Sequence, residues 1–243
     1  MCGRFTLALS PEELAQLMAL DAALDRELGL GPRYNIAPGQ EIVAAVQTSP
    51  ETPREARAFR WGLVPSWARN PAIGHRLINA RSETAAAKPA FREAYRRRRC
   101  LVPADGFYEW QRRSGRKQPW FFRVADAPGF CMAGLWETWG PPDGVPLETC
   151  TLLTTSANEL LRPIHDRMPV ILGRENYERW LTAQPDDETG LRDLLRPFPA
   201  EAMDARPVSP LVNSPRSDVP ACIEPVATRE EPDDATDGQM KLL

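Results

Sequence analysis

Four extended stretches crowd into residues 100–157: CLVPADGFYEWQ (100–111), PWFFRVA (119–125), GFCMAGLWETW (129–139) and ETCTLLTTSA (148–157). Each is rich in β-branched and aromatic residues. The first two are joined by RRSGRKQ, a polar turn carrying Gly115, which reads as a hairpin. No regular β-α-β alternation surrounds them. A doubly wound sheet is therefore disfavoured, and a single α+β domain is expected.

The rest of the chain supplies short elements. Ser10 before Pro11, Glu12 and Glu13 marks a helix start: a capping hydroxyl, proline at the first position, then acids at the positive end of the dipole. That helix runs to about Leu20, with a short second one after it. RYNIAPGQ (33–40) reads as a loop turning at Pro38-Gly39, and residues 41–47 and 56–64 read as strands. Residues 82–98 are helical with a break near Pro89. Further short helices are expected at 158–161, 175–181 and 191–195, and DARPVS (204–209) reads as a late edge strand. The stretch 2–225 forms one domain on this reading. Residues 226–243 are acidic and poor in apolar residues, and are expected to be a disordered tail.

Composition excludes several classes. No apolar run is long enough to span a bilayer, and no basic region precedes an apolar stretch at the amino end. No membrane association is expected, and a cytoplasmic protein is. The 5 cysteines are widely spaced without a C-x-x-C, and there are 2 histidines, so neither a metal site nor another cofactor is expected. The net charge of -3 is unevenly spread. Residues 1–124 hold 20 Lys+Arg against 12 Asp+Glu, and residues 125–243 hold 10 against 21. A basic half suits a phosphate-binding surface, although a fold interleaves such halves.

The amino end, MCGRFTL, places a cysteine at position 2. Aminopeptidases remove an initiator methionine before a small residue. Cys2 would then carry an α-amine and a thiol on adjacent carbons. The amine is partly neutral near pH 7 and attacks aldehydes to give an imine. The thiol can add to the imine carbon and close a five-membered thiazolidine. The plainer reading is a frayed terminus, against which stands the apolar run that follows directly.

Other stretches offer partners. In LINARSET (77–84), Asn79 can cap the following helix or point into a site, and Arg81 can bind phosphate. In ADGFYEW (104–110), strand alternation puts Phe107 and Glu109 on one face. If that face is inward, Glu109 becomes a carboxyl of raised pKa suited to proton transfer; if outward, it is solvated. PIHDRMPV (163–170) holds His165 and Arg167 between two prolines, a setting that suits a fixed imidazole. RYNIAPGQ adds Arg33 and Asn35, and WGLVPSWA (61–68) adds Trp67 for base stacking, with Trp61 expected in the core. The run Arg96–Arg99 resembles a phosphate patch but also ends a helix, where cations are favoured.

MCGRF, RYNIAPGQ, WGLVPSWA, NARSET, DGFYEW and IHDRMPV occur in this order, followed by VSPLVNSP and CIEP. Together they closely resemble the signature set of the SOS-response-associated peptidase (SRAP) family, the abasic-site processing proteins. The resemblance implies a compact α+β fold with a barrel-like, branching β-sheet among short helices. It implies that Met1 is removed and that Cys2 crosslinks to abasic sites in single-stranded DNA. It gives Asn79 the task of orienting the reacting terminus, and Glu109 and His165 proton transfer. Arg4, Asn35, Trp67, Arg81 and Arg167 fall in segments lining the DNA groove. Replication-fork proteins are candidate partners, and a monomer is the default. Two other classes stay open at this point: a cysteine peptidase or autopeptidase using the Cys2 thiol, and a non-covalent binder of single-stranded DNA.

Overall fold

The amino end enters the fold on β1 (Phe5–Leu7), which pairs antiparallel with β2 (Arg33–Ile36) on one side and β7 (Gly106–Arg113) on the other. With β8 (Arg116–Val124) and β13 (Met203–Pro207) these strands make a five-stranded sheet in the order β13-β8-β7-β1-β2. The computed structural model describes residues 2–20, 24, 28, 31–113, 116–140, 144–184 and 187–227.

The second sheet closes on itself. Its path is β10 (Leu147–Ser156), β4 (Glu55–Trp61), β3 (Glu41–Val46), β6 (Arg99–Ala104) and β9 (Phe130–Trp139). β9 then pairs back onto β10, from Leu147↔Trp139 to Leu152↔Gly134, completing a barrel. β10 also branches. Its first half pairs with β4, and its second with β5 (Asn79–Arg81) and β11 (Arg167–Pro169), while β12 (Ile171–Leu172) extends β9. This is the α+β, barrel-like branching sheet expected from the resemblance.

The two sheets meet where 100–111 changes partners. That stretch reads as one strand in the sequence but is two. β6 belongs to the barrel and β7 to the five-stranded sheet, with Asp105 at the bend. Asp105 accepts from the Ala8 N–H at 2.7 Å and from the Thr6 hydroxyl, fixing β1 against the corner. The next residue is glycine, and a Cβ there would lie 2.0 Å from the Phe121 ring and force it to shift. The 33–40 segment also departs from its loop reading. Arg33–Ile36 is a strand because β1 supplies its pairing and Asp218 takes the Asn35 N–H at 2.9 Å.

The helices are short. α1 (Pro11–Met18) has the expected start, with a full capping box between Ser10 and Glu13. α2 (Ser82–Ala85) and α3 (Arg92–Arg97) flank Pro89 as expected. α4 (Tyr177–Thr182) and α5 (Glu188–Arg192) follow the barrel, α5 beginning earlier than the sequence suggests, where Asp187 caps it. Residues 158–161 form a turn rather than a helix: Asn158 Oδ1 accepts from Leu161 N at 3.0 Å, and Pro163 lacks the N–H that a continuing helix needs. The second helix expected after Leu20 falls largely outside the described residues, as does the tail from residue 228.

The main core fills the barrel and its junction with the five-stranded sheet, with Trp61, Phe59, Phe107 and Phe122 fully buried. Burying each such ring is worth roughly 2–3 kcal/mol. The arginine run divides. Arg96 and Arg97 are exposed, and Arg98 pairs with Glu137 at 2.6 Å. Arg99 is buried, donating to Tyr95 O, Arg96 O, Trp180 O and Ala183 O at the ends of α3 and α4. A second, smaller core covers the outer face of β7: Tyr108, Phe121, Val208, Val212 and Cys222. It is closed by residues 208–226, held through Val226 N to Pro207 O at 3.0 Å.

Candidate functional site

Cys2 lies at the seam between the sheets and is fully buried. The β1–β7 register, Phe5↔Phe107 with Tyr108 N donating to Arg4 O at 3.0 Å, continues toward the amino end. Carried two residues further, it sets the Cys2–Gly3 segment beside Glu109. From the barrel side, Asn79 on β5 donates its Nδ2 to Cys2 O at 2.7 Å. The other end of that amide, Oδ1, is buried and accepts no hydrogen bond from the described residues.

Glu109 is 2% exposed, which decides between the two faces that strand alternation allowed. It shares the inward face with Phe107, while Tyr108 packs into the second core. Burial pushes its carboxyl up to about 7, with the positive amino terminus of the chain pulling the other way. Near neutral pH it therefore holds a proton about half the time, as a group that both gives and takes protons requires. The Cys2 thiol is raised far above its ordinary range, first by burial and then by the charge of Glu109. At this position the sulfur is a thiol, not a thiolate.

His165 sits on the turn between β10 and β11, with its side chain 26% exposed. Burial lowers its pKa, and the charge of the amino terminus lowers it further. The Arg167 N–H donates to Nδ1 at 3.0 Å. Nδ1 also lies 3.3 Å from Arg167 O and 3.2 Å from Asp166 Oδ1; where it accepts from the N–H, the neutral ring carries its proton on Nε2. Gln111 on β7 reaches Pro163 O at 3.5 Å, tying the His165 turn to the Glu109 strand.

The five candidate groove residues are placed differently. Trp67 is 60% exposed, standing beside a shallow depression of about 340 Å³ lined by Arg69, Asn70, Ile73 and Arg76. Arg81 is exposed and has no side-chain hydrogen bond or ion pair among the described residues. Arg4 is half-buried, donating to Asn35 Oδ1 at 2.8 Å and Val212 O at 2.7 Å, with its guanidinium 6.0 Å from the Trp110 ring centre. Asn35 is wholly buried, its Nδ2 shared among Val212 O, Ser214 O and Ser217 O. It holds Arg4 rather than facing solvent. Arg167 grips Glu83 with both guanidinium ends.

Sequence reasoning missed the residues that support these. Trp110 donates to Asn213 at 2.7 Å, and Asp218 clamps residues 33–35. Both partners lie more than 100 residues away in the chain, and only VSPLVNSP and CIEP hinted that this region mattered. No group of three or more metal-ligating side chains occurs among the described residues, and none of their helices is long and apolar enough to cross a membrane.

Fold and site together define a class: a protein that holds a cysteine near its amino end in a buried seam, with an amide donating to its carbonyl and a buried carboxyl of raised pKa beside it. The chain belongs to the SOS response associated peptidase family, whose model matches residues 1–215. It is 43% identical over 225 residues to the abasic site processing protein YoqW of Bacillus subtilis, covering 92% of this chain and 99% of that one. It is 34% identical over 264 residues to the abasic site processing protein HMCES of Gallus gallus, covering 93% and 78%. An X-ray structure of a Bacteroides thetaiotaomicron protein superposes with a TM-score of 0.82 at 29% identity, covering 93% of this chain and all of that one.

Proposed function

We propose that this protein processes abasic sites by forming a covalent crosslink between Cys2, freed of Met1, and the ring-opened aldehyde of an abasic site in single-stranded DNA. The observation that carries this reading is the grip of Asn79 on Cys2. Nδ2 fixes the Cys2 carbonyl at 2.7 Å, and the buried, unpartnered Oδ1 is an acceptor suited to an α-amine N–H. The names of the relatives supply the substrate class.

The chemistry follows from the neighbours. An abasic deoxyribose opens when its C1′–O4′ bond breaks, O4′ gains a proton and the C1′ hydroxyl loses one. His165 donates its Nε2–H toward O4′, and Glu109 takes the hydroxyl proton. The Cys2 amine attacks C1′, and Glu109 returns a proton as the carbinolamine loses water. The thiol then adds to the iminium carbon, its proton restoring the one that His165 gave to O4′. Aldehyde plus aminothiol gives thiazolidine plus one water. Holding amine, thiol and aldehyde together raises their effective concentration by orders of magnitude. Because the thiol is neutral at rest, the amine attacks first and the sulfur closes the ring second.

Arg81 and Arg4 hold phosphates, with Asn35 positioning Arg4. Trp67 stacks on a base and obstructs a second strand. Arg167 acts in the groove beside His165. The finished ring shields the lesion from strand cleavage by β-elimination.

Protein with a confirmed Cys2 terminus, mixed with an abasic single-stranded oligonucleotide, is expected to give a heat-stable adduct on a denaturing gel. Loss of that adduct with Cys2→Ala, and with Met1 retained, supports the reading. An undiminished adduct in either case overturns it.

A further inference from the structure

Glu83 stands outside the Cys2 cluster, on α2, four residues past Asn79. Its carboxylate takes Arg167 Nη1 at 2.6 Å and Nη2 at 2.9 Å, a bidentate fork. The Arg167 side chain is 13% exposed and also donates to Thr154 O, so the fork is held from two sides. Arg167 opens β11, and its backbone N–H is the group that meets His165 Nδ1 at 3.0 Å.

A second group contends for the same nitrogen. Asp166 Oδ1 lies 3.2 Å from His165 Nδ1 on a side chain that is 87% exposed. The two neighbours ask for opposite things. The N–H needs a lone pair on Nδ1, whereas the carboxylate needs a proton there. With Nδ1 protonated, neutral His165 would show a bare Nε2 and could donate nothing. The Arg167 carbonyl, 3.3 Å from Nδ1, would favour that same wrong tautomer.

We propose that Glu83 is a positioning residue: by fixing Arg167 at the head of β11 it keeps the Arg167 N–H on Nδ1, and so keeps the Nε2–H of His165 as the donor. The inference rests on the reading of His165 as a proton-transfer group. It also assigns Arg167 a task beyond phosphate binding. The Glu83 end of the pair is 51% exposed, which keeps its contribution to stability small, so its use is geometric.

The chain has 2 histidines, which makes the test direct. Nitrogen-15 NMR of the free protein reads the tautomer of each ring. Wild type is expected to show His165 protonated on Nε2 and not on Nδ1. Glu83→Ala is expected to shift His165 toward the Nδ1-protonated form and leave His75 unchanged. The isosteric Glu83→Gln, which keeps one acceptor, falls between and guards against a folding defect. With abasic single-stranded DNA, Glu83→Ala is expected to lower the crosslinking rate at saturating DNA ~10-fold, while the half-saturating concentration changes less than about 2-fold. An unchanged His165 tautomer in both variants overturns the proposal. So does a loss confined to half-saturation, which would make Glu83 a DNA-affinity residue. Absence of any adduct in wild type defeats the reading of the site, and the NMR comparison still decides the role of Glu83.

Discussion

Cys2 sits at the seam between the sheets, whereas Cys100 and Cys150 sit within the barrel, on β6 and β10. All three are fully buried, and burial raises the thiol pKa at each. Beside Cys100 stand Cys150 and Gly134, which could not carry a Cβ without meeting Cys100 Sγ at 2.7 Å. Around Cys2 stand an amide with a free buried acceptor and a carboxyl titrating near 7. The depth of a thiol is thus no mark of reactivity here. Cys100 and Cys150 are small apolar residues. Cys2 differs in its polar neighbours and in the amine it would carry. The comparison also weighs against the peptidase reading, since a cysteine peptidase needs a thiol activated toward thiolate, and burial and Glu109 push Cys2 the other way.

The largest effect that can break this contrast is loss of one thiol. Cys2→Ala is expected to lower heat-stable adduct on the order of 10³-fold or more, read on denaturing gels. Cys2→Ser should still form an imine, captured by borohydride but lost on heating without it.

Buried charge sharpens the same contrast. Glu109→Gln is expected to slow crosslinking by roughly 10²-fold or more while stabilising the fold. The sign follows from linkage. A carboxyl raised from 4.5 to about 7 favours folding while protonated, and that contribution fades as pH rises from the unfolded to the folded value. At pH 8 the variant should exceed wild type by roughly 3 kcal/mol, with the gap closing toward pH 4.5. Arg99 on the barrel side should behave oppositely, because its donors are spent on four carbonyls. Arg99→Met is expected to cost about 3 kcal/mol in denaturant unfolding, with crosslinking retained in whatever fraction stays folded.

Smaller effects test the periphery. Trp67→Ala is expected to raise the half-saturating DNA concentration ~10-fold without changing the saturated rate. Cys100→Ala should leave the crosslinking rate within about 2-fold.

The sequence carried much of this where the signal was local. Strand period placed Glu109 beside Phe107, and the capping pattern placed α1. It failed where pairing came from afar. Arg33–Ile36 looked like a loop because Pro38-Gly39 is a strong turn signal, while the strand depends on β1 and on Asp218. The bend at Asp105 was hidden inside continuous β propensity. Glu83 and Arg167 are 84 positions apart, and nothing local links them. Asn35 was legible as a polar residue at a corner, but its burial under residues 212–217 was not.

The central claim is that amine and thiol of Cys2 are both consumed. Mass spectrometry of the Cys2 peptide from the DNA adduct tests it, after treatment with a thiol-alkylating reagent. The account predicts peptide lacking Met1, joined to the sugar with loss of one water, and inert to alkylation. A Cys2 thiol still open to alkylation, or an adduct retaining Met1, would contradict it.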